Sequence, residues 1–380
     1  MKGLSISLIL SGVLFCTSTV TAKDFKKDLK KRKSDSRLHR KIQKKESNIK
    51  TSESLYKINP TFSSWGLSPK IDSSINVVEA WKKFKLKKEV VVAVVDTGID
   101  AKHPFLKDNL YLPGKSVKPN QFGIDFSKDA KNKYAPADQH GHGTHISGII
   151  RSIFPDVKIL SLKYYSPNVK NKDNLTSTVK ALEYAIEQNV DIINYSSGGA
   201  GASIDELRVL KKAEKKGILV VAAAGNEASN IDSKENFYFP ASYKLKNMIT
   251  VINHDKKGTL NVSSNWGERT ADISAPGSRI NSAYTSSSGA GHLTGTSQST
   301  AFVTGVAALL MSQYPTLSVE DIKKIILESS RKTKKLAGKC KSGGMLDAKA
   351  AQGLAMKKTQ EHDRKLAHNS EFKTSKAKAN

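Results

Sequence analysis

Apolar runs and helical repeats alternate along most of this chain. Residues 90–95 read Val-Val-Val-Ala-Val-Val, an unbroken, mostly β-branched run expected of a strand covered on both faces. Residues 157–162 form a weaker strand candidate, and 191–194, 218–224 and 248–252 add three more. The segments between them have helical periodicity. Residues 175–188 place Val179, Leu182 and Ile186 on one face. Residues 203–216 open on Ser203 with Asp205 and Glu206, close on Lys211, Lys212, Lys215 and Lys216, and stop at Gly217. That polarity suits a helix dipole and its caps. Residues 300–313 are almost wholly apolar, which predicts a buried helix ended by Tyr314-Pro315. Residues 318–328 predict a further amphipathic helix. This alternation predicts an α/β fold, a parallel doubly wound sheet with helices on both faces.

Open parallel sheets hold their chemistry at the carboxyl ends of strands. That rule points just beyond Val95, Asn194 and Ala224, where Asp96, Ser196-Ser197-Gly198 and Gly225-Asn226 stand.

Composition changes the picture at the two ends. The chain of 380 residues has a formal net charge of +27. Residues 23–50 hold 13 Lys and Arg against 4 Asp and Glu, and residues 331–380 hold 14 against 4, so most of the excess is terminal. Such ends read as solvated tails or as an electrostatic grip on an anionic envelope surface. No nucleic-acid-binding module accompanies them, so no specific nucleic acid is expected. Lys2, the mostly apolar run 4–13 and Val20-Thr21-Ala22 read as a secretory signal peptide over 1–22. Residues 23–60 read as a basic pro-segment or flexible arm, 61–345 as the folded domain and 346–380 as a basic tail. Phe15, before Cys16, is too large for a lipid-attachment signal. Once the leader is removed only Cys340 remains, so no internal disulfide is expected, and the protein is expected to be secreted or periplasmic.

Four residues attract chemical interest. Asp96 ends an apolar strand, where a carboxylate needs partners, although a cap or turn is the plainer role for one alone. His142 lies in His140-Gly141-His142-Gly143-Thr144-His145 at a predicted helix start, a suitable place for a general base. Three histidines so close also invite a metal, but zinc needs a further ligand at suitable spacing, so no metal is assigned. Ser297, in Gly295-Thr296-Ser297, lies at the mouth of the buried helix, where backbone N–H groups are free. By itself it reads as a helix cap. Asn226 could donate to an oxyanion or simply occupy a turn.

Taken together, the order Asp, His, Asn, Ser resembles that of the subtilisin-like serine proteases, peptidase family S8. Val-Val-Asp-Thr-Gly-Ile-Asp at 94–100, His-Gly-Thr-His-Ile-Ser-Gly at 142–148 and Gly-Thr-Ser at 295–297 are similar to that family's three motifs. Asp191 to Gly199, Ala222 to Glu227, Phe239-Pro240-Ala241-Ser242 and Ile273-Ser274-Ala275-Pro276-Gly277 resemble further family segments. The resemblance implies a serine endopeptidase made as a zymogen, with Ser297 as nucleophile, His142 as base and Asp96 as its orienting partner. It implies an oxyanion hole at Asn226 and substrate-binding strands at Ser196, Ser197 and Gly198 and at Ala223 and Gly225. Catalysis is then expected to need no cofactor. A structural calcium would be compatible but is not implied, because the segment after His142 is short. The expected partner is a protein or peptide substrate and the expected state a monomer. The alternatives are a catalytically silent peptide-binding relative and a polyanion-binding protein acting through its basic tails. Two positions depart from the family's habit: Gln298 follows the nucleophile where Met is usual, and Ala301 stands where Pro is usual.

Overall fold

The computed structural model describes residues 55–285 and 289–379, those from 365 to 379 by backbone only. The expected signal peptide (1–22) and most of the basic arm (23–60) lie outside the described residues. The strands are β1 (Val91–Asp96), β2 (Gly123–Asp125), β3 (Lys158–Lys163), β4 (Ile192–Tyr195), β5 (Leu219–Ala223), β6 (Met248–His254), β7 (Ile273–Pro276), β8 (Ile280–Ala283), β9 (Ala290–Leu293), β10 (Arg331–Lys332) and β11 (Gly344–Met345). The helices are α1 (Val77–Trp81), α2 (His142–Ile153), α3 (Asn171–Glu187), α4 (Ile204–Lys215), α5 (Thr296–Gln313), α6 (Val319–Glu328) and α7 (Ala348–Ala379).

Among the described residues nine strands make one sheet in the order β10-β11-β7-β6-β5-β4-β1-β3-β2, parallel throughout except for the β10–β11 pair. Strand β1 carries the two-sided burial its sequence predicts. Val92 and Val94 face one core with Ile146 of α2 and Val303 of α5. Ala93 and Val95 face the other with Leu182 of α3 and Val209 of α4. The period of two in the strand therefore divides one apolar run between two cores. Strand order reverses at β1: β3 lies on one side and β4 on the other. The crevice at such a switch opens at the carboxyl ends of the strands, which here bear Asp96 and Ser196.

Local signals set most boundaries. The Ser203 side chain accepts from Glu206 N at the start of α4, and Ser318 forms a capping box with Asp321 at the start of α6. Three boundaries differ from expectation. Helix α5 begins at Thr296, not near residue 300. Its opening Thr-Ser-Gln-Ser-Thr is a poor helix former, but tertiary partners hold it: Ser299 Oγ donates to the Ala275 carbonyl at 2.9 Å and the Thr296 N–H to Asn226 Oδ1 at 2.9 Å. The packed body also runs beyond residue 345, since Leu346, Ala348, Ala351 and Ala355 are fully buried in the core. At the other end Tyr56 donates to Asp156 at 2.6 Å and packs against Phe84, so part of the segment expected as an arm is docked. No helix among the described residues is long and apolar enough to cross a membrane.

Two fully buried histidines tie layers together. His145 of α2 places Nε2 at 2.9 Å from the Ile280 carbonyl and 3.1 Å from the Gly291 carbonyl. His254 of β6 contacts Ser274 Oγ at 2.8 Å and the Ser73 carbonyl at 3.1 Å. Burial pushes both rings down to about 4, since neither has an anionic partner in contact. Above pH 6.5 folded and unfolded chains both hold them neutral. Below it the unfolded chain takes up protons that the folded chain refuses until about pH 4. Stability is therefore complete above 6.5 and declines towards 4, by on the order of 3 kcal/mol per ring. Melting temperature is expected to fall steadily when scanned from pH 7 to pH 4.5, and a flat profile would contradict the burial assigned to both rings.

Candidate active site

Asp96 ends β1 and is 3% exposed. Its Oδ1 accepts from the Thr97 backbone N–H at 2.8 Å and lies 2.7 Å from His142 Nδ1. With the Nδ1 proton directed at the carboxylate, Nε2 is left as a proton acceptor. His142 is the first residue of α2, and its side chain is 21% exposed, so it faces the open crevice. Burial draws this imidazole down, but the charge and hydrogen bond of Asp96, with help from Asp138, outweigh burial and leave it raised above its ordinary 6.5.

Asp138 was not apparent from sequence. It accepts from the backbone N–H groups of His140, Gly141 and Thr144 and from the hydroxyls of Thr97 and Thr144, at 2.7 to 3.0 Å. Thr97 Oγ1 in turn accepts from Gly143 N at 2.9 Å. A buried carboxylate thus collects the free donors at the start of α2 and bolts it to the end of β1. Burial alone would raise its affinity for protons; these donors reverse that and hold it below the usual carboxylate range. An Asp four residues before a Gly-rich helix start was the available signal.

Ser297 is the second residue of α5 and is 7% exposed. Its backbone N–H belongs to the first turn, which has no acceptor inside the helix. The hydroxyl donates to the Ser196 carbonyl at 2.9 Å, so in this rotamer its single proton is not offered to His142. Ser196 itself is buried at the end of β4, and its hydroxyl donates to the Ser297 carbonyl at 3.2 Å. Ser197 is half-buried and Gly198 exposed, at the rim of the crevice.

Asn226 lies across from this rim. Its Oδ1 accepts from Thr296 N at 2.9 Å, which locks the amide against the mouth of α5 and leaves Nδ2 as the outward donor. Ala223 closes β5 and is buried; Gly225, at φ +99°, then turns the chain. A side chain there would be strained and would strike Asn265, Glu227 and Tyr238. The Tyr238 ring fills the space beside both Gly198 and Gly225, which makes it the floor between the two segments. Burial, then the Glu227 charge, keeps its phenol protonated far above the ordinary range. Sequence gave no sign of Tyr238, because its place depends on residues 40 and 13 positions away. Glu227 accepts from Asn265 Nδ2 at 2.6 Å and is exposed.

The three clustered histidines have separate surroundings: His140 is exposed, His142 meets Asp96 and His145 meets two carbonyls. Among the described residues no group of three or more His, Cys, Asp or Glu side chains is arranged to hold a metal ion. The atoms that converge can transfer a proton and receive negative charge, which is the equipment of acyl transfer.

Comparison with known proteins agrees with this geometry. Residues 87–355 match the model of the subtilase family, Peptidase S8. The chain is 33% identical to the major intracellular serine protease of Bacillus subtilis over 63% of its own length and 73% of that protein's. It is 32% identical to the thermostable alkaline protease of Halalkalibacterium halodurans over 80% and 75% of the two lengths. The solved structure of a cold adapted subtilisin-like serine proteinase superposes with a TM-score of 0.58 at 25% identity, covering 68% of this chain and 88% of the other. Sheet, crevice and family match together establish that this chain belongs to the subtilase family and is a subtilisin-like serine endopeptidase.

Proposed function

We propose that this endopeptidase is secreted and cuts polypeptides through Ser297, His142 and Asp96. The observation that supports it most is the 2.7 Å contact between Asp96 and His142 at the sheet edge where α5 brings Ser297. Substrate enters as an added strand between Ser196-Ser197-Gly198 and the Ala223–Gly225 segment. Ser297 turns its hydroxyl from the Ser196 carbonyl towards His142. As Oγ bonds to the scissile carbon, its proton passes to His142 Nε2 and the carbonyl electron pair moves onto oxygen. Asn226 Nδ2 and the Ser297 N–H receive that oxyanion. Collapse breaks the C–N bond, and the leaving amine takes the proton from His142. Water then repeats the sequence on the acyl-enzyme and frees Ser297. Catalysis is assigned to side chains and backbone alone; calcium, where bound, would serve structure. A fluorophosphonate probe is expected to label the wild-type protein at one serine and to leave His142→Ala unlabelled; equal labelling of the variant would defeat the proposal.

For the basic ends we propose salt-sensitive attachment of a monomer to an anionic envelope surface. Deleting residues 365–380 avoids the buried Leu346, Ala351 and Ala355 and is expected to weaken retention on heparin. Unchanged retention would assign the binding elsewhere.

A further inference from the structure

Two lysine-rich segments meet at the amino-terminal edge of the sheet, away from the crevice. Residues 82–88 read Lys-Lys-Phe-Lys-Leu-Lys-Lys and lead into β1. Residues 211–216 read Lys-Lys-Ala-Glu-Lys-Lys, form the end of α4 and lead into β5. Only β4 stands between β1 and β5, and all three run parallel. The two segments therefore enter the sheet about 10 Å apart. Lys88 and Lys216 border one depression, with Asn189 and Asp191 between them. All nine lysines are exposed.

Part of this charge is compensated nearby. Lys82 meets Glu79 at 2.6 Å, Lys88 meets Asp191 at 2.5 Å and Lys212 meets Glu183 at 3.8 Å. Lys216 Nζ donates to the Ile186 carbonyl and to Asn189 Oδ1. Exposed Glu89 and Glu187 lie on the same edge. Lys83, Lys85, Lys211 and Lys215 hold no ion pair among the described residues. Between Lys85 and Lys87 stands Leu86, 50% exposed. Its segment is fixed at both ends, because Gln313 Nε2 donates to the Lys83 carbonyl at 2.9 Å and the Lys88 N–H to the Ser312 carbonyl at 3.1 Å. A single exposed leucine is ordinary. One fixed among lysines fits a surface where anionic headgroups lie over acyl chains.

We infer that this edge docks on a bilayer rich in anionic lipid, its lysines among the headgroups and Leu86 at the boundary beneath them. The inference deepens, and rests on, the envelope attachment proposed for the basic ends. It adds an orientation. Asp96, Tyr195 and Ala223 close the same parallel strands at their other ends. A chain docked in this way keeps its crevice towards solution, so substrate arrives from the aqueous side. A soluble polyanion would satisfy the lysines but would gain nothing from Leu86, and that difference separates the two partners.

The full chain is to be tested on vesicles of phosphatidylcholine alone, on vesicles with added phosphatidylglycerol, and on heparin. Joint replacement Lys83→Gln, Lys85→Gln, Lys211→Gln and Lys215→Gln is expected to weaken binding to the anionic vesicles by about fivefold per lysine, with peptide hydrolysis in solution unchanged. Leu86→Ala is expected to weaken binding to the same vesicles by about fivefold and to leave heparin retention as it was. Enzyme bound to vesicles is expected to hydrolyse a soluble peptide with the kcat of the free enzyme. Vesicle binding by the fourfold variant equal to wild type overturns the inference and leaves attachment to the basic ends. Vesicle binding unaffected by Leu86→Ala overturns the lipid partner in favour of a soluble polyanion. Inhibition on binding overturns the orientation. A wild-type chain that binds neither vesicles nor heparin overturns envelope attachment itself, so the two failures are distinct.

Discussion

Replacing Ser297 with Ala is expected to lower kcat on order of a million-fold, the loss known for subtilisin, a relative, when its nucleophile is removed. The change deletes one oxygen from a residue that is 7% exposed, so folding should survive it. The partner of that oxygen is the Ser196 carbonyl in the resting rotamer; after rotation its proposed partner is His142. Losing the first leaves one carbonyl without a donor; losing the second removes the only atom assigned to form the acyl bond. Near-UV and far-UV circular dichroism should therefore match wild type while hydrolysis of a denatured protein vanishes. Retention of more than about a thousandth of the wild-type rate would show that another group performs the attack.

Asp96→Asn is expected to lower kcat by about 10,000-fold while preserving shape, as the equivalent change does in another serine protease. The carboxamide can still meet His142 Nδ1, but it can present an N–H there and so favour the wrong tautomer. It also removes the charge that, against burial, raises the imidazole above 6.5. The wild-type rate should rise with pH along a limb whose midpoint lies above 6.5, because the base must be neutral to accept a proton. In Asp96→Asn that limb should move to lower pH. A limb left in place would mean that Asp96 does not set the titration of His142.

The α/β class and the position of the crevice were readable from sequence because both follow from local pattern. Six apolar residues at 90–95 require cover on two faces, and they receive it from α2 and α5 on one side and α3 and α4 on the other. The motif residues were readable for the same reason, since each sits beside a strand end or helix start that pattern defines. What escaped depended on distant contacts. The first turn of α5 is polar and helical only because Ala275, Gly225 and Asn226 accept or supply its hydrogen bonds. The residues after 345 looked like a charged tail because Lys is frequent there, while the spaced Ala351 and Ala355 that bury against the core carry little hydrophobic signal. Asp138 and Tyr238 resemble ordinary loop residues until the fold closes around them.

The engagement of Ser297 with the Ser196 carbonyl has a chemical consequence for the idle enzyme. A hydroxyl that donates at 2.9 Å to a carbonyl does not offer its proton to the imidazole, so under the proposed triad attack begins with a turn of the Ser297 side chain. In the proposed mode of binding, a peptide along Ser196-Ser197-Gly198 would lie against that same stretch of backbone and compete with the hydroxyl for it. Under the proposed triad the rate of attack then includes that rotation, for a peptide and for a small probe alike.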